Sequence, residues 1–252
     1  MKSMYQTEWQ GIQFTDFANK ISTTELAGAE FYNAFYRELF RRYGGYDELD
    51  VSWLRNKQEL AEWIAKRTPE GSRILSVGCG LGYMERCLHR DHGQNIELHV
   101  QDYAADVLTW LRHELPDERI HLVGEGVGGS DLFDLIYLSA LDYAIPQDEM
   151  ISLLSDQKAQ LCEGGVCLLI SASFLEECPS AIQQIRGWGK DVAKRILEAF
   201  GLYHRGQFWG WQRTQSEYRE LMIKAGYSDV ADGFIETQNQ RSYFIEGRNL
   251  AE

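Results

Sequence analysis

The segment Arg73-Ile74-Leu75-Ser76-Val77-Gly78-Cys79-Gly80-Leu81-Gly82-Tyr83-Met84-Glu85 constrains this chain more than any other. Ile74, Leu75 and Val77 read as a short buried strand. Gly78, Gly80 and Gly82 form a turn, and a helix begins near Leu81. Glycines at alternate positions are costly in backbone entropy, and make sense where another molecule must lie against bare main chain. A strand–glycine turn–helix is the nucleotide-side cradle of open α/β sheets, set at the carboxyl end of the first strand. The spacing limits the guest. A dinucleotide site needs G-x-G-x-x-G, but Tyr83 stands where the third glycine would fall. A triphosphate loop needs Gly-Lys-Ser/Thr, and Tyr83-Met84-Glu85 supplies no lysine. A tight turn that holds no ligand is the other reading.

Composition narrows the partners. The chain has 252 residues, enough for one large domain or a domain with a lid, and 44% are hydrophobic. A formal net charge of −13 disfavours nucleic acid, whose phosphates are held by clustered Lys and Arg. Arg37, Arg41 and Arg42 read as a solvated helix face. No apolar run approaches a membrane span, and Met1–Trp9 lacks the apolar core of a signal peptide. The five cysteines include no CxxC pair and read as reduced thiols in a cytoplasmic protein, without a zinc site.

Residues 1–21 are aromatic and polar without period, and suggest a loose arm packed through Tyr5, Trp9, Phe14 and Phe17. Ser22 or Thr23 can cap a helix that carries Leu26, Ala29, Tyr32, Phe35, Tyr36, Leu39, Phe40 and Tyr43 on one face and stops at Gly44-Gly45. Its rings either pack on a sheet or line a lid over a small substrate. A second helix spans about Ser52 to Lys66, with Trp53, Leu60, Trp63 and Ile64 inward. After the glycine turn, Asn95–Asp102 alternates as a strand and ends on a carboxylate 24 positions beyond Gly78. An acid there can accept hydrogen bonds from both hydroxyls of a ribose. A helix over about Ala104–Glu114, a strand at Arg119–Gly124, a strand at Asp131–Ala140 and a helix opened by Pro146 follow. Cys162–Ser171 gives a turn and a buried strand, and residues 176–206 read as helical. Gln207–Arg213 reads as a short strand, Thr214-x-x-Glu217 is a capping box, and a hairpin runs from Ile235 through Ser242–Ile245.

Four segments in order carry a resemblance: Val77-Gly78-Cys79-Gly80-Leu81-Gly82, Val100-Gln101-Asp102-Tyr103-Ala104, Phe133-Asp134-Leu135-Ile136 and Leu161-Cys162-Glu163-Gly164-Gly165-Val166. Together they resemble the class I S-adenosylmethionine-dependent methyltransferases, firmly over about residues 71–175 and less closely over 214–248. The resemblance implies a doubly wound α/β fold with a mostly parallel seven-stranded sheet and an antiparallel C-terminal hairpin. Residues 1–70 would form an N-terminal helical cap, and 71–252 the Rossmann-like domain with a substrate-recognition insertion at about 176–213. The implied cofactor is S-adenosylmethionine, leaving as S-adenosylhomocysteine. Its implied contacts are Gly78, Cys79, Gly80, Gly82, Asp102, Tyr103, Glu125, Gly126 and Ser139. The family usually has Asp where Glu125 stands. Ser139-Ala140-Leu141-Asp142-Tyr143 lacks the Asn/Asp-Pro-Pro-Tyr/Phe sequence used on nucleobase and glutamine nitrogens, which argues against DNA or glutamine as acceptor.

The expected reaction is in-line transfer of the methyl group to a small molecule, at oxygen or nitrogen ahead of carbon. Positioning supplies most of the rate in such a step, and a base is needed only for a protonated nucleophile. Candidate bases are His204, Tyr36 and Tyr143. Candidate substrate contacts are Tyr32, Tyr36, Trp209, Trp211 and Arg213, with core packing or solvation as the alternative for each. Rival readings are an aminopropyltransferase, a dehydrogenase on the same cradle, and a catalytically silent sensor or scaffold that still binds the cofactor.

Overall fold

The computed structural model describes residues 1–18, 21–123, 132–177, 197 and 205–250. Seven strands form the main sheet: β4 (Arg73–Val77), β5 (Glu97–Asp102), β6 (Ile120–Leu122), β7 (Phe133–Ser139), β8 (Leu161–Ser171), β10 (Ser228–Glu236) and β11 (Arg241–Arg248). Their order is β10-β11-β8-β7-β4-β5-β6. The pairs from β8 across to β6 are parallel, whereas β11 is antiparallel to both β8 and β10. The expected sheet and closing hairpin are therefore present. β4 is central, with β5 on one side and β7 on the other. Winding reverses there, which opens a crevice beyond the carboxyl ends of these three strands.

Strand alternation feeds two cores. On one face Ile74, Leu98, Val100, Tyr137 and Ile170 pack with helices α1 (Ala29–Arg42), α2 (Val51–Arg67) and α3 (Tyr83–His92), through Phe35, Leu39, Leu60, Ile64 and Leu88. On the other, Leu75, Val77, Ile136, Leu138 and Leu169 pack with α4 (Gln147–Lys158) and α5 (Gln215–Lys224), through Met150, Leu154, Tyr218, Leu221 and Met222. The two N-terminal helices thus share a core with the sheet.

Three local expectations change. Residues 1–21 include strands: β1 (Lys2–Gln6) pairs antiparallel with β9 (Gln207–Gln212), and β2 (Glu8–Trp9) pairs with β3 (Ile12–Gln13). The pairing partner of β1 lies some 200 residues away, which local periodicity does not encode. The first helix starts at Ala29 with Gly28 as its N-cap. Ser22 instead closes a local turn, its Oγ accepting the Thr24 and Glu25 amides at 3.3 and 2.9 Å. The Gln207 side chain holds that turn by accepting the Ser22 amide and donating to the Glu25 carbonyl. The stretch after Asp102 forms two short 3-10 turns, Ala105–Thr109 and Leu111–His113, rather than one α-helix. They still bury Val107, Leu108 and Leu111. The capping box at Thr214 and Glu217 is formed as expected.

Candidate active site

The glycine turn is fixed by main chain. The Gly78 amide donates to the Gln101 carbonyl at 2.7 Å, and the Gly82 amide to the Cys79 carbonyl at 3.1 Å. Tyr46 donates its hydroxyl to the Leu81 carbonyl at 2.6 Å from outside the turn. Gly78, Gly80 and Gly82 all take positive φ, +69°, +58° and +73°. A side chain at Gly78 would meet Leu141 Cδ2 at 2.7 Å, whereas at Gly80 the nearest atom is the Tyr36 hydroxyl at 3.6 Å. Gly80 is the position at which the turn faces open space.

Asp102 ends β5 beside this turn and is 5% exposed. Its Oδ2 accepts the Gly80 amide at 3.0 Å, and its Oδ1 accepts the Ala104 amide at 3.0 Å. Burial raises its pKa, and the amide hydrogen bonds oppose that rise. A carboxylate has about four acceptor sites, so these amides leave capacity for a donor arriving from the cavity.

A cavity of about 900 Å³ lies over both groups. Gly78, Cys79, Gly80, Asp102, Tyr103 and Ser139 form its floor and one wall. Six rings also line it, Trp9, Tyr32, Tyr36, Trp53, Tyr143 and Trp209. Tyr32 and Tyr36 stack at 6.4 Å between centroids, Tyr143 stacks with Trp209 at 6.3 Å, and Tyr32 meets Tyr103 edge-on at 6.0 Å. Burial raises the pKa of Tyr32 and Tyr36 far above that of a free phenol and pushes Tyr143 up to about 12. These hydroxyls stay protonated near neutral pH. As candidate bases, Tyr36 and Tyr143 are therefore better suited to donate a hydrogen bond than to accept a proton.

The remaining expected contacts divide. Gly82 borders a small adjoining cavity that also includes Lys57, Ser76 and Glu85. Trp211 does not line the main cavity and packs edge-on against Phe208 at 5.2 Å. Arg213 does not line it either. It is 1% exposed and donates to the carbonyl oxygens of Asp142 and Ile145, the latter at 2.6 Å. Arg213 thus braces the loop after β7 from behind, because a guanidinium fork matches two convergent carbonyls. Buried Asp142 is held in the same brace by Ser171 at 2.8 Å and by the Tyr218 hydroxyl. Glu125, Gly126 and His204 lie outside the described residues.

Some site residues escaped sequence reasoning. Trp9 and Trp53, which the sequence marks only as packing residues, line the cavity. Lys57 was not singled out, although its spacing from Trp53, Leu60 and Ile64 puts it on the inward face of α2. Glu85, in the first turn of α3, is 1% exposed and accepts from Ser76 Oγ at 2.6 Å and from the Tyr137 hydroxyl at 2.8 Å. Among the described residues, no group of three or more His, Cys, Asp or Glu is placed to hold a metal, and no helix is long and apolar enough to cross a membrane.

The strand order, the glycine turn at the carboxyl end of the central strand and the acid at its neighbour's tip define the fold of the class I S-adenosylmethionine-dependent methyltransferases. Solved structures place the chain beside particular members. It is similar to magnesium protoporphyrin IX methyltransferase from Synechocystis PCC 6803 with bound S-adenosylhomocysteine, at 14% identity, a TM-score of 0.57, and coverage of 87% of this chain and 96% of that one. It is also similar to the S-adenosylmethionine-dependent methyltransferase SibL, at 16% identity, a TM-score of 0.60, and coverage of 96% and 66%. Human N-acetylserotonin methyltransferase with bound S-adenosylmethionine aligns at 16% identity, a TM-score of 0.52, and coverage of 89% and 57%. Among curated proteins, a dTDP-3-amino-3,4,6-trideoxy-alpha-D-glucopyranose N,N-dimethyltransferase of Streptomyces venezuelae is 28% identical over 97 residues, 38% of this chain. The match spans about a third, 35%, of that relative. No protein-family profile matches the chain.

Proposed function

We propose that this protein transfers a methyl group from S-adenosylmethionine to a small-molecule acceptor, at oxygen or nitrogen ahead of carbon. The observation that carries the reading is the Asp102–Gly80 pair, with a carboxylate and a bare glycine amide 3.0 Å apart on the floor of a 900 Å³ cavity. The residues present suit the cofactor. Asp102 offers acceptors to a ribose diol, Gly78–Gly80 let the ligand approach main chain, and the Tyr36 ring favours a nearby cation by its π face. Tyr103, 43% exposed at the cavity edge, is placed to cover a flat base. When bound, the cofactor supplies an activated methyl group on sulfur.

The chain's own residues orient the acceptor and exclude water. The rings of Tyr32, Tyr143 and Trp209 enclose the far side of the cavity, and a volume of this size suits small ligands. Small acceptors also agree with the similar proteins, which are named as methyltransferases of magnesium protoporphyrin IX, N-acetylserotonin and a dTDP-linked amino sugar.

Calorimetric titration with S-adenosylmethionine and S-adenosylhomocysteine tests the cofactor. Product formation over a panel of phenols and amines then tests transfer. Failure of both ligands to bind would reject the reading. Binding without turnover of any acceptor would favour a sensor.

A further inference from the structure

Ser242 lines the main cavity at 1% exposure, and its hydroxyl has no hydrogen-bond partner among the described residues. A buried hydroxyl left unpaired costs free energy, which a polar group brought by a ligand recovers. Its place in the sheet decides which ligand that is. Ser242 stands just before Tyr243, which pairs with Ser171 at the carboxyl end of β8. It therefore lies along the same edge of the sheet as the glycine turn and Asp102. Across the sheet the two are far apart. β5 and β11 are separated by four strand steps, or ~19 Å at about 4.8 Å per step. From a ribose held by Asp102, roughly five covalent bonds of ~1.5 Å lead to a methyl group on sulfur. The methyl group thus ends short of Ser242, and the interval is left for an acceptor.

The neighbours of Ser242 set the chemistry of this corner. Period-two alternation puts Ser242 on the face of Phe244, which meets Trp63 of α2 at 5.0 Å between ring centroids. Two turns earlier on α2, Asn56 is 6% exposed and lines the same cavity. Its Oδ1 accepts from Thr237 at 2.8 Å and its Nδ2 donates to Gln240 Oε1 at 2.9 Å, which ties α2 to the β10–β11 turn. A side-chain amide has two N–H bonds, so Asn56 keeps one in reserve. Gln240 also lines the cavity, and its Nε2 makes only a long contact, 3.5 Å, with the Ala172 carbonyl. Ser242, Asn56 and Gln240 carry no charge.

We propose that Ser242, flanked by Asn56 and Gln240, holds the acceptor by an uncharged oxygen, hydroxyl or carbonyl, remote from the atom that is methylated. The assignment to the acceptor rests on the methyltransferase reading, whereas the preference for a neutral oxygen rests on the subsite itself.

The test titrates benzyl alcohol, toluene and benzoate into the wild-type protein and Ser242→Ala by ligand-detected NMR, with and without saturating S-adenosylhomocysteine. S-adenosylhomocysteine itself is titrated by calorimetry. Wild type should bind benzyl alcohol more tightly than toluene or benzoate. Ser242→Ala should weaken benzyl alcohol about three- to ten-fold and leave toluene and S-adenosylhomocysteine unchanged. Because the substitution removes an unpaired buried hydroxyl, the variant should melt no lower than wild type, which separates lost binding from lost structure. An equal loss of benzyl alcohol and toluene, no loss of either, weakened S-adenosylhomocysteine or a lower melting temperature overturns the proposal. So does a wild-type preference for benzoate, which would make the neighbouring Lys57 the deciding group, or failure of benzyl alcohol to bind wild type. Failure of S-adenosylhomocysteine to bind wild type rejects the cofactor reading instead, and the titrations without it still decide the subsite.

Discussion

The Oδ2 atom of Asp102 accepts the Gly80 amide at 3.0 Å, so the acid at the tip of one strand is tied to the turn at the tip of its neighbour. The pair sets the floor of the cavity before any ligand arrives. Asp102→Ala should lower affinity for S-adenosylhomocysteine at least about ten-fold, since hydrogen bonds to a charged group contribute about 1.5–3 kcal/mol. The fold should persist. Calorimetry with circular dichroism checks both, and unchanged affinity would remove Asp102 from the site.

The phenols of Tyr36 and Tyr143 are held protonated by burial, Tyr143 up to about 12. Tyr36→Phe and Tyr143→Phe should therefore change rate or acceptor KM without altering the shape of the pH–rate profile between about pH 6 and 9. A limb that vanishes in either variant would identify that tyrosine as the base.

Burial raises the Glu85 pKa in the folded state. A raised value means that its contribution to stability is fully present below the unfolded carboxylate pKa of about 4.3, and is lost as pH rises through the folded value. Glu85→Gln escapes that loss. Its stability relative to wild type, read by urea unfolding at each pH, should rise between pH 4 and pH 8. A difference that is flat or falls with pH would contradict the sign.

Asp142 has one carboxylate oxygen, Oδ1, buried without a partner, while the other accepts from Ser171 and Tyr218. Tyr218→Phe removes a donor from a group already short of them and should cost about 1–3 kcal/mol in urea unfolding. Because this network braces the loop that carries Tyr143, acceptor KM should rise while affinity for S-adenosylhomocysteine holds. A parallel loss of both would mean that the brace acts on the whole site.

The sheet was legible because its signals are local and periodic. Ile74, Leu75 and Val77 bounded by glycines, or Thr214 three residues before Glu217, state their structure within a few residues. Asp102 was legible for a similar reason, since the spacing from Gly78 is fixed by one helix and one strand. The misses depend on distant partners. Lys2–Gln6 is a strand only because Gln207–Gln212 pairs with it. Ser22 caps nothing helical because Gln207 holds its turn. Arg213 reads from the sequence as a substrate contact or a solvated residue, and the carbonyls that claim it belong to a loop about 70 residues earlier.

The pairing of β1 with β9 bears on how the protein matures. Met4, Gln6 and Trp9 contribute to the cavity, but β1 finds its hydrogen-bonding partner only after the ribosome has passed Gln212. The earliest-made part of the wall must wait for one of the latest, at a synthesis rate of about 5–20 residues per second. Competence to bind should therefore emerge only once Gln207–Gln212 has been made, however early the central strands have condensed.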